Sequence, residues 1–145
     1  MIKIYRKTAT IKAEQFDGSE QMRSKYELDY EYDKQGNRHY YGGDIMELMV
    51  DDWIITTIDG LHWTIKDFAF KQTYAELPVI PQAVADWIKK CKKQRRSITG
   101  ALVESDQPAG VKAYFRNYQS TELWIKLQDD FARAWLDGYQ VEESK

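Results

Sequence analysis

Leu77-Pro78-Val79-Ile80-Pro81 places two prolines within four residues near the middle of a 145-residue chain. Each proline fixes φ, removes an amide donor and disfavours helix in the residue before it. No helix and no central strand runs through such a stretch. The pattern before it has the period of two of strands, and the pattern after it the 3.6-residue period of helices. The chain is therefore expected to be α+β. A curved antiparallel β-sheet with short helices is expected over residues 1–77, then a three- or four-helix region over residues 78–145.

Within the first part, residues 8–16 alternate as a strand, rich in β-branched residues at its start. Ser19 is placed to cap a short helix through about Tyr26. Leu28, Tyr30 and Tyr32 share one face of the next strand, opposite Asp29, Glu31 and Asp33. Gln35-Gly36-Asn37 turns the chain into His39-Tyr40-Tyr41, which Gly42-Gly43 ends. Ile45–Val50 and Trp53–Ile58 read as two strands joined by a turn at Asp51-Asp52. Asp59-Gly60 predicts a two-residue hairpin turn with positive φ at both positions, leading to Leu61–Ile65. A helical turn at Lys66–Phe70 and a strand at Thr73–Leu77 complete this part.

After the prolines, Val84, Trp87, Ile88 and Cys91 fall at i, i+3, i+4 and i+7, one apolar stripe of a helix. Helices are also predicted over Ile98–Glu104 and Val111–Tyr118. A fourth begins at a cap on Ser120 or Thr121 and buries Trp124, Leu127, Phe131 and Trp135. Glu122 with Lys126 and Asp129 with Arg133 have the spacing of ion pairs, Gly138 ends the helix, and Tyr139–Val141 folds back extended.

Charge divides at the same place: residues 1–77 hold 10 basic and 14 acidic side chains, residues 78–145 hold 11 and 9. A net charge of −2 marks neither a nucleic-acid binder nor an acidic mimic. The lone Cys91 excludes an internal disulfide and fits a reducing cytosol. No run approaches the ~18 apolar residues of a membrane span, and the start lacks a signal peptide's apolar run. The expectation is a soluble, intracellular protein with no membrane partner.

Two features carry candidate binding residues. Aromatic side chains crowd at Tyr26, Tyr30, Tyr32, Tyr40, Tyr41 and Trp63. Tyr30, Tyr32, Tyr40 and Tyr41 are the candidates, because tyrosine buries large area at low entropy cost. The ordinary alternative is that these rings line a small sheet's core. The second feature is residues 89–96, six of whose eight residues are basic. Lys92, Lys93, Arg95 and Arg96 are able to contact phosphates, or else they form the solvated end of a helix, where cations oppose its dipole.

The sequence points to no catalytic residue, no metal and no cofactor. Cys91, His39 and His62 lack zinc-ligand spacing, and of His62 and Trp63 one faces solvent, with a surface histidine as the default. Asp129 and Asp130 point about 100° apart on a helix and do not converge. No nucleophile elbow or phosphate-cradling glycine loop is present.

Residues 1–77 resemble a group of small phage and prophage proteins through Ala13-Glu14-Gln15-Phe16, Asp52-Trp53-Ile54, Gly60, Trp63, Phe70 and Thr73-Tyr74. Asp51 stands where that group has glycine, and aspartate keeps such a turn because it tolerates positive φ; Leu61 stands where it has an acid. Residues 78–145 resemble a phage domain of unknown function through Pro81–Ile88 and the string Phe131-Ala132-Arg133-Ala134-Trp135-Leu136-Asp137-Gly138-Tyr139. The resemblances imply a temperate phage or prophage of a streptococcal or lactococcal type of Gram-positive host. They imply no substrate.

The leading expectation is a non-catalytic accessory protein that binds a host or phage protein. Nucleic-acid binding through residues 89–96 and a small-molecule enzyme stand beside it. Self-association is expected if the helical part leaves Trp124 or Trp135 exposed.

Overall fold

A computed structural model describes residues 1–7 and 9–143. Thr8, the first residue of the expected opening strand, lies outside the described residues, as do Ser144 and Lys145. The fold is α+β. The chain divides into two compact units, Met1–Ala75 and Glu76–Lys145.

The first unit contains strands β1 (Lys12–Gln15), β2 (Asp29–Tyr32), β3 (Arg38–Gly42), β4 (Ile45–Leu48), β5 (Trp53–Thr56) and β6 (His62–Ile65). Helix α1 (Glu20–Lys25) follows β1, and α2 (Asp67–Thr73) follows β6. Ser19 caps α1 by accepting a hydrogen bond from the Met22 amide at 3.2 Å. The strands form two three-stranded antiparallel sheets, β1-β5-β6 and β2-β3-β4, where one curved sheet was expected. Phe16, Met22, Leu28, Tyr40, Ile45, Leu48 and Ile54 make one buried cluster. Ile54 and Ile55 are both fully buried. Successive side chains of a strand point to opposite faces, so β5 is covered on both. Trp53, on the side of Ile55, is stacked on Phe70 of α2 at 3.9 Å and 7°.

The β2–β3 and β5–β6 hairpins use one loop design. The Thr57 amide donates to the Leu61 carbonyl and the Gly60 amide to the Thr57 carbonyl; Asp33, Gly36 and Asn37 repeat the pattern. Gly60 has φ +83 and Gly36 φ +85, while Asp59 keeps negative φ. The loop at Asp59-Gly60 is thus three residues long with a single left-handed glycine, not the two-residue turn expected. Asp51 does adopt φ +76, as the glycine-like turn requires. The expected strand at Thr73–Leu77 does not form, because α2 runs on through Thr73.

The second unit begins with β7 (Val79–Ile80), which pairs in parallel with β8 (Gln140–Val141). Parallel strands need a long crossover, here the four helices α3 (Gln82–Lys93), α4 (Ile98–Ala101), α5 (Ala109–Arg116) and α6 (Thr121–Asp137). Val84, Trp87, Ile88 and Cys91 of α3 are buried with Ala101, Val111, Phe131 and Ala134. Helix α4 is shorter than predicted: it stops at Ala101, and a 3-10 turn at Glu104–Asp106 follows. Ser120 caps α6, and Gly138 at φ +103 ends it. Along α6, Phe131 is fully buried and Trp135 partly so, but Trp124 is 44% exposed, against the expectation that it is buried. The ion pairs of α6 also differ from those predicted. Lys126 and Arg133 both pair with Asp130, which lies on their stripe at i+4 and i−3.

Candidate functional site

Tyr30, Tyr32 and Tyr40 project from one face of the β2–β3 hairpin, and Tyr41 from the other. The register pairs Tyr30 with Tyr40 and Tyr32 with Arg38, but Asp29 with Tyr41. Tyr40 is a core residue, 2% exposed, and packs edge-on against Phe16 at 4.7 Å. It is not available to a partner, which corrects its place among the binding candidates. Tyr32 is 59% exposed. Arg38 ties these rings together: its carbon centre lies 4.4 Å from the Tyr30 ring, and its Nε donates to the Tyr32 hydroxyl at 3.2 Å. Arg23 lies 5.0 Å from the same Tyr30 ring. Tyr30 and Tyr32 are therefore engaged with arginines of their own unit, while Tyr41, on the other face, is 40% exposed.

The basic run at the end of α3 is likewise partly engaged. Lys92 Nζ donates to the Trp135 carbonyl at 2.6 Å and sits 5.4 Å from its ring. Arg96 pairs with Asp106 at 3.1 Å and lies 5.6 Å from the Trp87 ring. These two serve the fold. Lys93 and Arg95 are exposed and have no ion-pair partner among the described residues. Cys91 is buried on the apolar stripe, and loss of solvent pushes its thiol pKa up against the opposing charges of Arg96 and Lys90.

Both histidines are held by carboxylates. His39 lies 2.9 Å from Asp33 and 3.2 Å from Glu47. His62 Nδ1 lies 3.1 Å from Asp44, which also accepts the His62 amide. His62 meets the Tyr26 ring edge-on at 5.4 Å, whereas Trp63 is 46% exposed. The more exposed of the two is thus the tryptophan, contrary to the default. His62 lines an open cleft of about 470 Å3 with Glu14, Lys25 and Tyr26. Tyr26 donates to Glu14 at 2.8 Å. Hydrogen bonds from Lys25 and then Tyr26 hold the Glu14 carboxyl below its usual range. Asp52 is buried and spent on the turn, accepting from the Met49 amide and Lys66 Nζ, each at 2.9 Å. No group of three or more metal-ligating side chains gathers among the described residues, and none of their helices is long and apolar enough to cross a membrane.

In the second unit, aromatic rings gather in the open. The end of α5, the following loop and the start of α6 enclose a cleft of about 410 Å3 lined by Phe115, Tyr118 and Trp124. Lys112, Gln107 and Gln128 add polar groups. Gln107 is 7% exposed, and its amide donates to the Ala101 carbonyl at 3.1 Å. Glu104 and Arg116, also on the lining, pair with each other. Leu123 and Ile125 flank Trp124 and are exposed too. Residues 75–145 match the family described as protein of unknown function (DUF1642). The match covers just under half of the chain. No curated protein and no solved structure matches this chain.

The DUF1642 segment contains the whole Trp124 cleft and the basic end of α3, and neither the tyrosine strands nor the His62 cleft. The periodicity of α6 missed the cleft, although one signal pointed to it. Leu123-Trp124-Ile125 is three successive large apolar residues. Their side chains fan out at about 100° per residue, so no single buried face accommodates all three.

Proposed function

We propose that this protein is a non-catalytic binding protein whose partner docks on the Trp124 cleft of the helical unit. The observation that supports it is the open set of rings, with Trp124 and Tyr118 44% and 47% exposed beside half-buried Phe115. Clustered exposed apolar rings with polar groups at the margin are the usual make-up of a protein-binding surface. The phage resemblance supplies the context: an accessory protein of a temperate phage or prophage, acting on a host or phage protein in the bacterial cytoplasm. The basic end of α3 supports nucleic acid less, since Lys92 and Arg96 are engaged within the fold.

The test is capture of partners from host lysate at native salt by the wild-type chain, Trp124→Ser and Tyr32→Ser. A saturable partner retained by Tyr32→Ser and lost by Trp124→Ser is expected. Equal capture by both variants, or none by the wild type, would overturn the reading.

A second reading, a small-molecule enzyme, draws support from the Asp44-oriented His62 in its cleft with Glu14 and Tyr26. It requires small-molecule binding that broadens the His62 ring signals and disappears in His62→Gln.

A further inference from the structure

Two polar or charged residues are buried among the described residues, Asp52 and Gln107. Asp52 accepts from two donors. Gln107 is only half satisfied. Pro108 keeps it extended, at φ −77 and ψ 140, between the 3-10 turn and α5. Its Nε2 donates to the Ala101 carbonyl, which also accepts from Trp87 Nε1 at 3.0 Å. A carbonyl only accepts, so the carboxamide is fixed with its nitrogen on that side. Its Oε1 has no partner among the described residues. No fully buried side-chain nitrogen or oxygen among them lacks a partner. Oε1 therefore reaches the open cleft that Gln107 lines.

That acceptor lies in a ring-lined cleft with uncompensated positive charge. Phe115, Tyr118 and Trp124 stand around the same opening. Glu104 and Arg116 on its lining pair with each other. Lys112, half-buried on the same lining, has no ion-pair partner among the described residues. An occupant that fills the cleft takes water away from Oε1. It binds about tenfold or more weakly if it leaves that oxygen without a donor. A main-chain N–H brings its own carbonyl with it, and Gln107 has no donor to spare for one. The indole of tryptophan is a large ring whose N–H donates and accepts nothing.

We infer that the cleft takes a tryptophan side chain of the partner protein, with its indole N–H donated to Gln107 Oε1 and its ring set among Phe115, Tyr118 and Trp124. An acidic residue beside that tryptophan pairs with Lys112. The inference rests on the docking reading and names the group that docks. Gln107 is then the residue that selects tryptophan over an apolar ring of the same shape.

NMR titration of the full chain, to millimolar concentration, with the capped dipeptide acetyl-Asp-Trp-amide tests this. Its control is the same dipeptide with benzothienylalanine, whose ring sulfur replaces the N–H with little change of shape. The first is expected to shift the Trp124 indole and Gln107 side-chain amide signals saturably, and the second to bind about tenfold more weakly. Lysine in place of the dipeptide's aspartate weakens binding further. Gln107→Met, checked for an intact fold by its melt, makes the two rings bind alike; if it does not fold, the comparison on the wild-type chain decides alone. Equal binding of the two rings by the wild type would overturn the inference. So would silence at the cleft signals, or a shift of them by single-stranded oligothymidylate and not by the dipeptide. Lysate capture abolished by Trp124→Ser, with the two rings bound equally, would leave the docking reading standing and remove this one.

Discussion

Lys92 Nζ donates a 2.6 Å hydrogen bond to the main-chain carbonyl of Trp135, 43 residues further along the chain. The carbonyl belongs to the last turn of α6, where carbonyls lack helical partners and carry the negative end of the dipole. The lysine stem also lies near the Trp135 ring. The bond ties the end of α3 to the end of α6. Lys92→Met keeps the stem and removes the charge, and is expected to destabilise the helical unit by about 1 kcal/mol. Lys93→Met, one residue on, is expected to change stability by less than ~0.5 kcal/mol. Denaturant melts of the two variants side by side decide it; equal effects would mean that the Trp135 bond is idle.

The His39 clamp makes the sheet unit sensitive to alkali. The Asp33 hydrogen bond, then that of Glu47, outweighs desolvation and raises the His39 pKa. A raised folded pKa means that the stabilisation is complete below the ordinary histidine value of about 6.5 and is lost as pH rises through the raised value. Asp33 has the opposite sign. His39 and the Asn37 amide hold its carboxyl far below the usual carboxylate range. Its contribution is present above about pH 4 and is lost in strong acid. The expected stability of this unit falls on both sides of the mildly acidic range, and His39→Gln removes the alkaline limb. The ring proton of His39, followed by NMR, should titrate above the ordinary value; a midpoint at or below it would contradict the clamp.

The local rules of the chain were legible, and its long-range meetings were not. The stripe of α3 follows from spacing alone, since Val84, Trp87, Ile88 and Cys91 have only one way to share a face. The Ser19 and Ser120 caps and the left-handed Asp51 are also properties of a few adjacent residues. Alternation placed Tyr30 and Tyr32 on a face but set no depth for them or for Tyr40. Tyr40 is covered by Phe16, the residue after β1 of the other sheet, while Tyr32 sits at the strand end beyond that cover. The His62 cleft depends on Asp44 and Glu14, which only folding brings near. The basic run read as a helix end, and nothing local told Lys92 and Arg96, which have partners on other elements, from Lys93.

Gly42 is fixed by lack of room. A Cβ built there would lie 2.5 Å from the Glu27 carbonyl oxygen and 3.2 Å from the Leu28 Cα. Both are main-chain atoms and have no rotamer with which to yield. Gly42→Ala is therefore expected to cost about 2–3 kcal/mol by forcing β3 away from the start of β2. Gly43→Ala meets nothing within 4 Å, and only its φ of +57 is disfavoured for alanine. It should cost about 1 kcal/mol. Urea titrations that rank Gly43→Ala as the more harmful would show that strand crowding is not the constraint.

Helix α6 has one face that holds the fold and another that does not. Phe131 is fully buried and meets the rings of Phe115 at 5.3 Å and Trp135 at 6.2 Å. Removing its ring leaves a cavity among close-packed neighbours, so Phe131→Ala should cost about 3–5 kcal/mol. Trp124, two turns earlier, has a larger ring but is 44% exposed. Trp124→Ala should cost less than about 1 kcal/mol, since the ring keeps much of its surface in water and its loss opens an existing cleft. Calorimetric melts of both variants measure the contrast. A Trp124→Ala loss as large as that of Phe131→Ala would show that the ring belongs to the core and is not held out for a partner.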